Sequence, residues 1–310
     1  MRIVKISGGL GNQMFQYAFA RSMQTRTGED VLLDVSLYES FSVHNGFELN
    51  TLFNCNLKFA DAREVDSIAS RQNTFVSRLR RKYFRKKTHY LDRKGGYQPE
   101  LFDKSTSNGL RDCYYEGYWQ TEKYFIDVAD DIKKDFVFKK NLSEKSEQLK
   151  DLIDQNTVSV HVRHGDYANL PNFNSICTES YYKNAFNYLF EHRTINKVLV
   201  FSNDITWCKE KLPGIVKEAK KNALNTPEFI FVDWNTGLDS WQDMALMSYC
   251  RCNIISNSTF SWWGAWLNNN SEKMVIAPEI WAYPRKNGYY QFSYDNVIPD
   301  SWKKVGITEK

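Results

Sequence analysis

From residue 158 onward the chain repeats one pattern: a short apolar run, a polar cluster, then a helical stretch. The apolar runs fall at 158–162, 197–202, 228–232, 253–255 and 274–277, and the spacing predicts helices over 178–193, 241–250 and 260–267. Strands that alternate with helices pair in parallel, because each crossover carries the chain back to the edge it started from. Ligands of such sheets lie beyond the carboxyl ends of the strands. The polar clusters are therefore the places to look. They are His161, Arg163, His164 and Asp166 after the first run, Asn203-Asp204 after the second, Asp233 after the third, and Ser256-Asn257-Ser258-Thr259 after the fourth. Arg163 is a permanent cation with a planar fork suited to phosphate. Ser258, Thr259 and Phe260 open a helix, whose start offers N–H groups to an anion.

The first half begins the same way. A strand over 2–7 runs into Gly8-Gly9-Leu10-Gly11, and Asn12 is placed to cap a helix that Gly28 ends. A second strand covers 31–35. Gly9, Gly11 and Asp34 partly match a dinucleotide-binding fingerprint, but Met14 stands where its third glycine belongs. Asn12 and Gln13 put two amides at the helix mouth instead. Residues 113–120 form an aromatic strand, with Glu116 and Gln120 available to a sugar, and a helix is expected over 121–135. The charged stretch 139–154 reads as a linker, giving two Rossmann-like domains at 1–154 and 155–310.

Composition narrows the function classes. With 41 Lys and Arg against 37 Asp and Glu, the basic excess is too small to call for a nucleic-acid partner. The six cysteines include no Cys-x-x-Cys, and His161 and His164 fall on opposite faces of their strand, so no metal site is expected. No Asp-x-Asp occurs to hold Mg²⁺ or Mn²⁺ on a diphosphate. No leader segment precedes the first strand and no apolar run is long enough for a membrane span. A cytoplasmic location follows, with the basic run 78–87 as a candidate contact to the inner membrane surface.

Four motifs in order resemble glycosyltransferase family eleven, the bacterial α-1,2-fucosyltransferases. They are 8–18 (Gly-Gly-Leu-Gly-Asn-Gln-Met-Phe-Gln-Tyr-Ala), 117–120 (Gly-Tyr-Trp-Gln), His161-x-Arg163-x-x-Asp166-Tyr167, and 256–267 (Ser-Asn-Ser-Thr-Phe-Ser-Trp-Trp-Gly-Ala-Trp-Leu). One departure is His164, where the family usually carries a second Arg. The resemblance implies a GT-B fold, two Rossmann-like domains facing across a cleft. The acceptor would lie on the first domain and GDP-β-L-fucose on the second. It implies inverting transfer without a metal or other cofactor, to a galactose-terminated oligosaccharide or lipid-linked glycan, at O2 of the galactose. Arg163 would meet the diphosphate together with Ser258, Thr259 and Phe260. Asp243 would read guanine. Gly11, Asn12, Gln13, His161, Asp204 and Asn257 would line the site, and Asp166 is the candidate base. Two rivals are an NAD(P)-type oxidoreductase, which would use Gly9, Gly11 and Asp34, and a non-catalytic glycan-binding module, which would use the aromatics. Neither gives Arg163 and the 256–259 cluster a task.

Overall fold

A computed structural model describes residues 1–40, 44–69, 88–102, 112–164, 173, 175–219, 226–283, 285–287 and 290–308. The chain divides into two compact units. The first holds Met1–Lys139 with Lys286–Val297, and the second Lys140–Arg285 with Ile298–Lys310. This division falls earlier than 154/155. The reason is the helix Glu144–Asp151, whose Leu149 packs with Leu199, Phe201 and Leu246, and whose capping residue Ser143 bonds through its N–H to Gln242. The basic run 78–87 and Asp166 lie outside the described residues. No helix among those described is long and apolar enough to cross a membrane.

The first unit is a parallel sheet of β1 (Arg2–Lys5), β2 (Val31–Asp34), β3 (Lys58–Phe59), β4 (His89–Leu91) and β5 (Cys113–Glu116) in the order β3-β2-β1-β5-β4. In register, β1 sets Ile3 opposite Leu32 on one side and Tyr114 on the other. The helix Leu10–Thr27 follows β1 and is buried nearly all round, as its run of Met14, Phe15, Tyr17, Ala18 and Phe19 demands. Gly28 ends it in the left-handed region, its N–H on the Gln24 carbonyl. Phe19 stacks on Trp119 with centroids 4.3 Å apart and meets Tyr124 edge-on at 5.2 Å. Burying each such ring contributes about 1.5–3 kcal/mol. The helix expected over 121–135 is broken into two 3₁₀ turns, Glu122–Tyr124 and Ile126–Val128, before Ala129–Asp135. Tyr124 and Phe125 are adjacent and both fully buried where the 3₁₀ turns meet.

The second unit is a parallel sheet of β6 (Thr157–Val162), β7 (Lys197–Ser202), β8 (Glu228–Val232), β9 (Cys252–Ile254), β10 (Met274–Pro278) and β13 (Lys303–Val305) in the order β13-β10-β9-β6-β7-β8. Every residue of β6 is buried, as in a strand covered on both faces. The remaining pair, β11 (Arg285–Asn287) and β12 (Tyr290–Phe292), leads into residues that bond to the first unit: the Ser293 N–H donates to the Lys94 carbonyl at 2.7 Å. At Gly95, φ is +64° and a Cβ would sit 2.1 Å from the Ser293 carbonyl oxygen, so only glycine fits.

Both sheets reverse their strand order beside their first strand. In one, the chain builds from β1 outward to β2 and β3, then returns so that β5 lies on the other side of β1. In the other, it builds from β6 to β7 and β8, then returns to β9. These switch points are where a doubly wound sheet opens a crevice at its carboxyl edge. All four motifs follow the strands that flank them.

Candidate active site

At the second switch point, His161 on β6 and Ser256 just after β9 are joined by a 2.7 Å contact between Nδ1 and Oγ. Below them Asn253 of β9 donates to the Ser159 hydroxyl of β6 at 2.7 Å. Side chains thus lock the two strands in register near their ends. Burial, and after it the charge of Arg163, push the His161 imidazole down to about 3. It is a neutral, buried linker rather than a second cation, and its ring lies 5.9 Å from that of Phe260. Arg163, half-buried, follows directly on the strand end.

The helix Thr259–Trp266 starts from Ser258, an extended residue whose own N–H bonds to the Ser256 carbonyl at 2.8 Å. No side chain caps this helix. A helix cannot satisfy its first-turn N–H groups internally, and the Ser258 side chain does not satisfy them here. Asn257 is different: it is buried, and its amide donates to the carbonyls of Trp281 and Phe173. It shapes the turn between β9 and the helix.

Other predicted residues lie along the same edge. Asp204 accepts from the Trp207 N–H through Oδ1, capping the helix Ile205–Ala219, and meets His164 Nδ1 at 2.9 Å through Oδ2. The hydrogen bond from His164, then that from Trp207, hold its carboxyl below the usual range. His164 also stacks on Trp207 at 5.0 Å, so it turns toward the β7 side while His161 turns toward β9. Asp243, half-buried on the helix Trp241–Tyr249, accepts from Asn235 Nδ2 at 2.8 Å. Burial pushes it up to about 7 against that hydrogen bond. Asn235 in turn accepts from Ser146 at 3.0 Å.

At the first switch point the helix begins one turn earlier than Asn12 would dictate. Gly9 is the capping residue, extended at ψ 176°, and Asn12 lies in the first turn with its N–H on the Gly9 carbonyl. Gly11 is buried beside it. Gly8 has φ +80°, and a Cβ there would be 2.7 Å from Asn12 Nδ2. Asn12 accepts from Gln120 Nε2 at 2.9 Å, and Gln16 donates to the Gly117 carbonyl at 3.0 Å, so the first two motifs grip each other across β1 and β5. Gln13 is fully buried. Its Nε2 donates to the carbonyls of Gly8 and Gly46 and its Oε1 accepts from the Glu48 N–H, which clamps the loop at 44–48 to the helix start. That loop carried no signal in the sequence, because its anchor lies 35 residues away.

Asp34 is buried, accepting from the Ser36 N–H and the Tyr114 hydroxyl. Glu116 meets Lys5 Nζ at 2.7 Å and His89 Nε2 at 2.9 Å. Burial raises its carboxyl, but the hydrogen bond from His89 and the charge of Lys5 outweigh this and hold it at about 2. Neither acid is free for a ribose or a sugar.

Two parallel-sheet α/β units with motifs at both switch points define the GT-B class of sugar-transferring enzymes. The chain belongs to glycosyl transferase family 11, whose model matches residues 1–295. It is 32% identical over 308 residues to an α-1,2-colitosyltransferase of Escherichia coli, covering 98% of each chain. It is 31% identical over 306 residues to an O-antigen biosynthesis glycosyltransferase of Escherichia coli, covering 89% of this chain and 93% of that one. A crystal structure of POFUT1 in complex with GDP-fucose shares the fold with a TM-score of 0.51 and 14% identity, covering 89% of this chain and 97% of that chain.

Proposed function

We propose that the protein transfers L-fucose from GDP-β-L-fucose to O2 of a terminal galactose, with inversion and without a metal, in the synthesis of a surface glycan. The observation that carries this reading is the second switch point: the guanidinium of Arg163 and an uncapped helix start end neighbouring strands, tied by His161 and Ser256. Breaking the bond from C1 of fucose to the β-phosphate oxygen leaves both electrons on GDP, and the anomeric carbon develops oxocarbenium character. Arg163 and the N–H groups of Ser258, Thr259 and Phe260 stabilise the departing charge, and fixed donors of this kind commonly give an enzyme most of its rate enhancement. His161, being neutral, does not compete with Arg163 for the phosphate. Asp243 accepts the ring hydrogens of guanine. The acceptor proton passes to Asp166 or to the leaving phosphate.

The test is incubation with GDP-fucose and lactose in excess EDTA, followed by release of GDP and linkage analysis of the product. An α-1,2-fucosylated product supports the reading. GDP release without a fucosylated product, or activity that EDTA abolishes and Mn²⁺ restores, overturns it.

A second reading follows from the relative named as an α-1,2-colitosyltransferase, which spans the same length. Colitose is fucose without its C3 hydroxyl. A site that hydrogen-bonds that hydroxyl rejects the deoxy sugar by orders of magnitude, whereas an apolar one discriminates weakly. Turnover with nucleotide-activated colitose against GDP-fucose separates the two.

A further inference from the structure

Three non-glycine residues among those described have positive φ: His44 at 57°, Trp119 at 54° and Asn296 at 65°. The left-handed region is costly for any residue with a Cβ, and for one as bulky as Trp it is a true outlier. Such strain persists only where surrounding contacts impose it, and it gathers at binding sites. Two of the three flank the first switch point.

The contacts that impose it are visible. Gln13 holds the loop at 44–48 by its bonds to Gly46 and Glu48. This sets the His44 ring over Gly9, whose Cβ position is 3.5 Å from His44 Cγ. On the other side, Trp119 is pinned by its stack on Phe19. Gly117 accommodates it, since a Cβ there would be 2.7 Å from Trp119 Cζ2. The turn leaves Tyr118 46% exposed. Tyr118 lies near Tyr38, whose hydroxyl donates to the Gly8 carbonyl at 2.6 Å. Burial, against a lowering hydrogen bond from Gln13, and then the charges of Glu48 and Tyr118 push that phenol above its ordinary value. His44 is exposed as well. Two strained turns thus present an imidazole and a phenol close to the Gly8-Gly9 turn that leads into Asn12.

We propose that His44 and Tyr118 form a subsite for the acceptor, taking a neutral hexopyranose whose apolar face lies against an aromatic ring while its hydroxyls meet His44 and the Asn12 amide; this rests on the sugar-transfer reading above. The groups presented here are amides, phenols and an imidazole, a set suited to a neutral sugar, whereas Arg163 and the helix start of the other unit suit a diphosphate. His44 and Tyr118 are specificity residues. The donor's phosphates and its leaving bond do not depend on them.

The experiment measures initial rates of His44→Ala, His44→Asn and Tyr118→Ala with GDP-fucose and lactose. The acceptor KM is expected to rise at least tenfold in both alanine variants. The GDP-fucose KM, GDP affinity by calorimetry, hydrolysis of the donor without acceptor and the melting temperature should stay within twofold or unshifted. His44→Asn, which tolerates the left-handed backbone and keeps a hydrogen-bonding group, should recover part of the loss. An unchanged acceptor KM in both alanine variants overturns the proposal. Should the wild-type chain transfer no fucose, saturation-transfer NMR with methyl β-D-galactoside still decides it. A signal lost in His44→Ala and Tyr118→Ala supports the subsite; no wild-type signal, or one that both variants keep, overturns it.

Discussion

The mouth of the first sheet presents Asn12, Tyr118 and His44, while that of the second presents Arg163 and the open start of the Thr259–Trp266 helix. The topological problem is shared: a strand order reverses and two strand ends part. The ways of filling the gap differ. In the first unit the motif residues bond chiefly to each other and to nearby backbone, Gln13 to three backbone groups and Gln16 to Ser7 and Gly117. In the second the linking residue, His161, is made neutral by burial, so the positive charge is concentrated in Arg163. The comparison teaches that a motif can be a frame or a contact. Amides buried at a switch point frame it, and under the proposed function a half-buried guanidinium beside an uncapped helix start touches what enters.

The largest effect should come from Arg163→Ala. Turnover is expected to fall about 10²–10³-fold, as for loss of a donor that stabilises a developing anion, with the melting temperature unmoved. Near-normal turnover would erase the electrostatic difference between the units. Next, Gln13→Ala removes bonds to three backbone groups of a buried frame. It should lower stability by about 1–3 kcal/mol in denaturant titration while leaving GDP affinity intact. A large loss of GDP binding with normal stability would make Gln13 a contact instead.

A smaller effect concerns Asp243, pushed by burial up to about 7. In the proposed role Asp243 must be ionised to accept from guanine, so protons would compete with GDP as pH falls through 7. GDP affinity by calorimetry should weaken about tenfold from pH 8 to pH 6, and Asp243→Asn should flatten the curve. A further pH effect is on stability. His161 takes up a proton near 6.5 when unfolded but only near 3 when folded. Between those values the unfolded state binds more protons, so stability falls as pH falls, by at most ~1.4 kcal/mol per pH unit. His161→Gln should reduce that slope. An unaltered slope would mean that His161 is not the buried neutral link.

Most strands were legible because an apolar run followed by polar residues is a local signal, and β1, β6, β7, β8 and β10 follow it closely. The Lys58–Phe59 and His89–Leu91 strands were not, being two and three residues long at or near the edges of the first sheet. The helix Ile205–Ala219 was obscured by Pro213, which the structure holds inside it. At the candidate site the spacing of motifs along the chain was informative, since strand neighbours bring 8–18 against 117–120. The partners were not. That Asp204 would take up His164 and cap a helix, or that Gln13 would hold a loop, depends on side-chain geometry that periodicity does not encode.

The return of residues Lys286–Val297 to the first unit bears on how such enzymes can be recombined. The polypeptide crosses between units at 139/140, 285/286 and 297/298. A chimera that exchanges only 1–139 leaves Gly95 facing a foreign partner for its bridge with Ser293, and Lys123 without the Asn296 oxygen that it contacts at 2.6 Å. The first unit is therefore portable only as two segments grafted together. Natural or laboratory shuffling by a single crossover at 139/140 would inherit a mismatched seam.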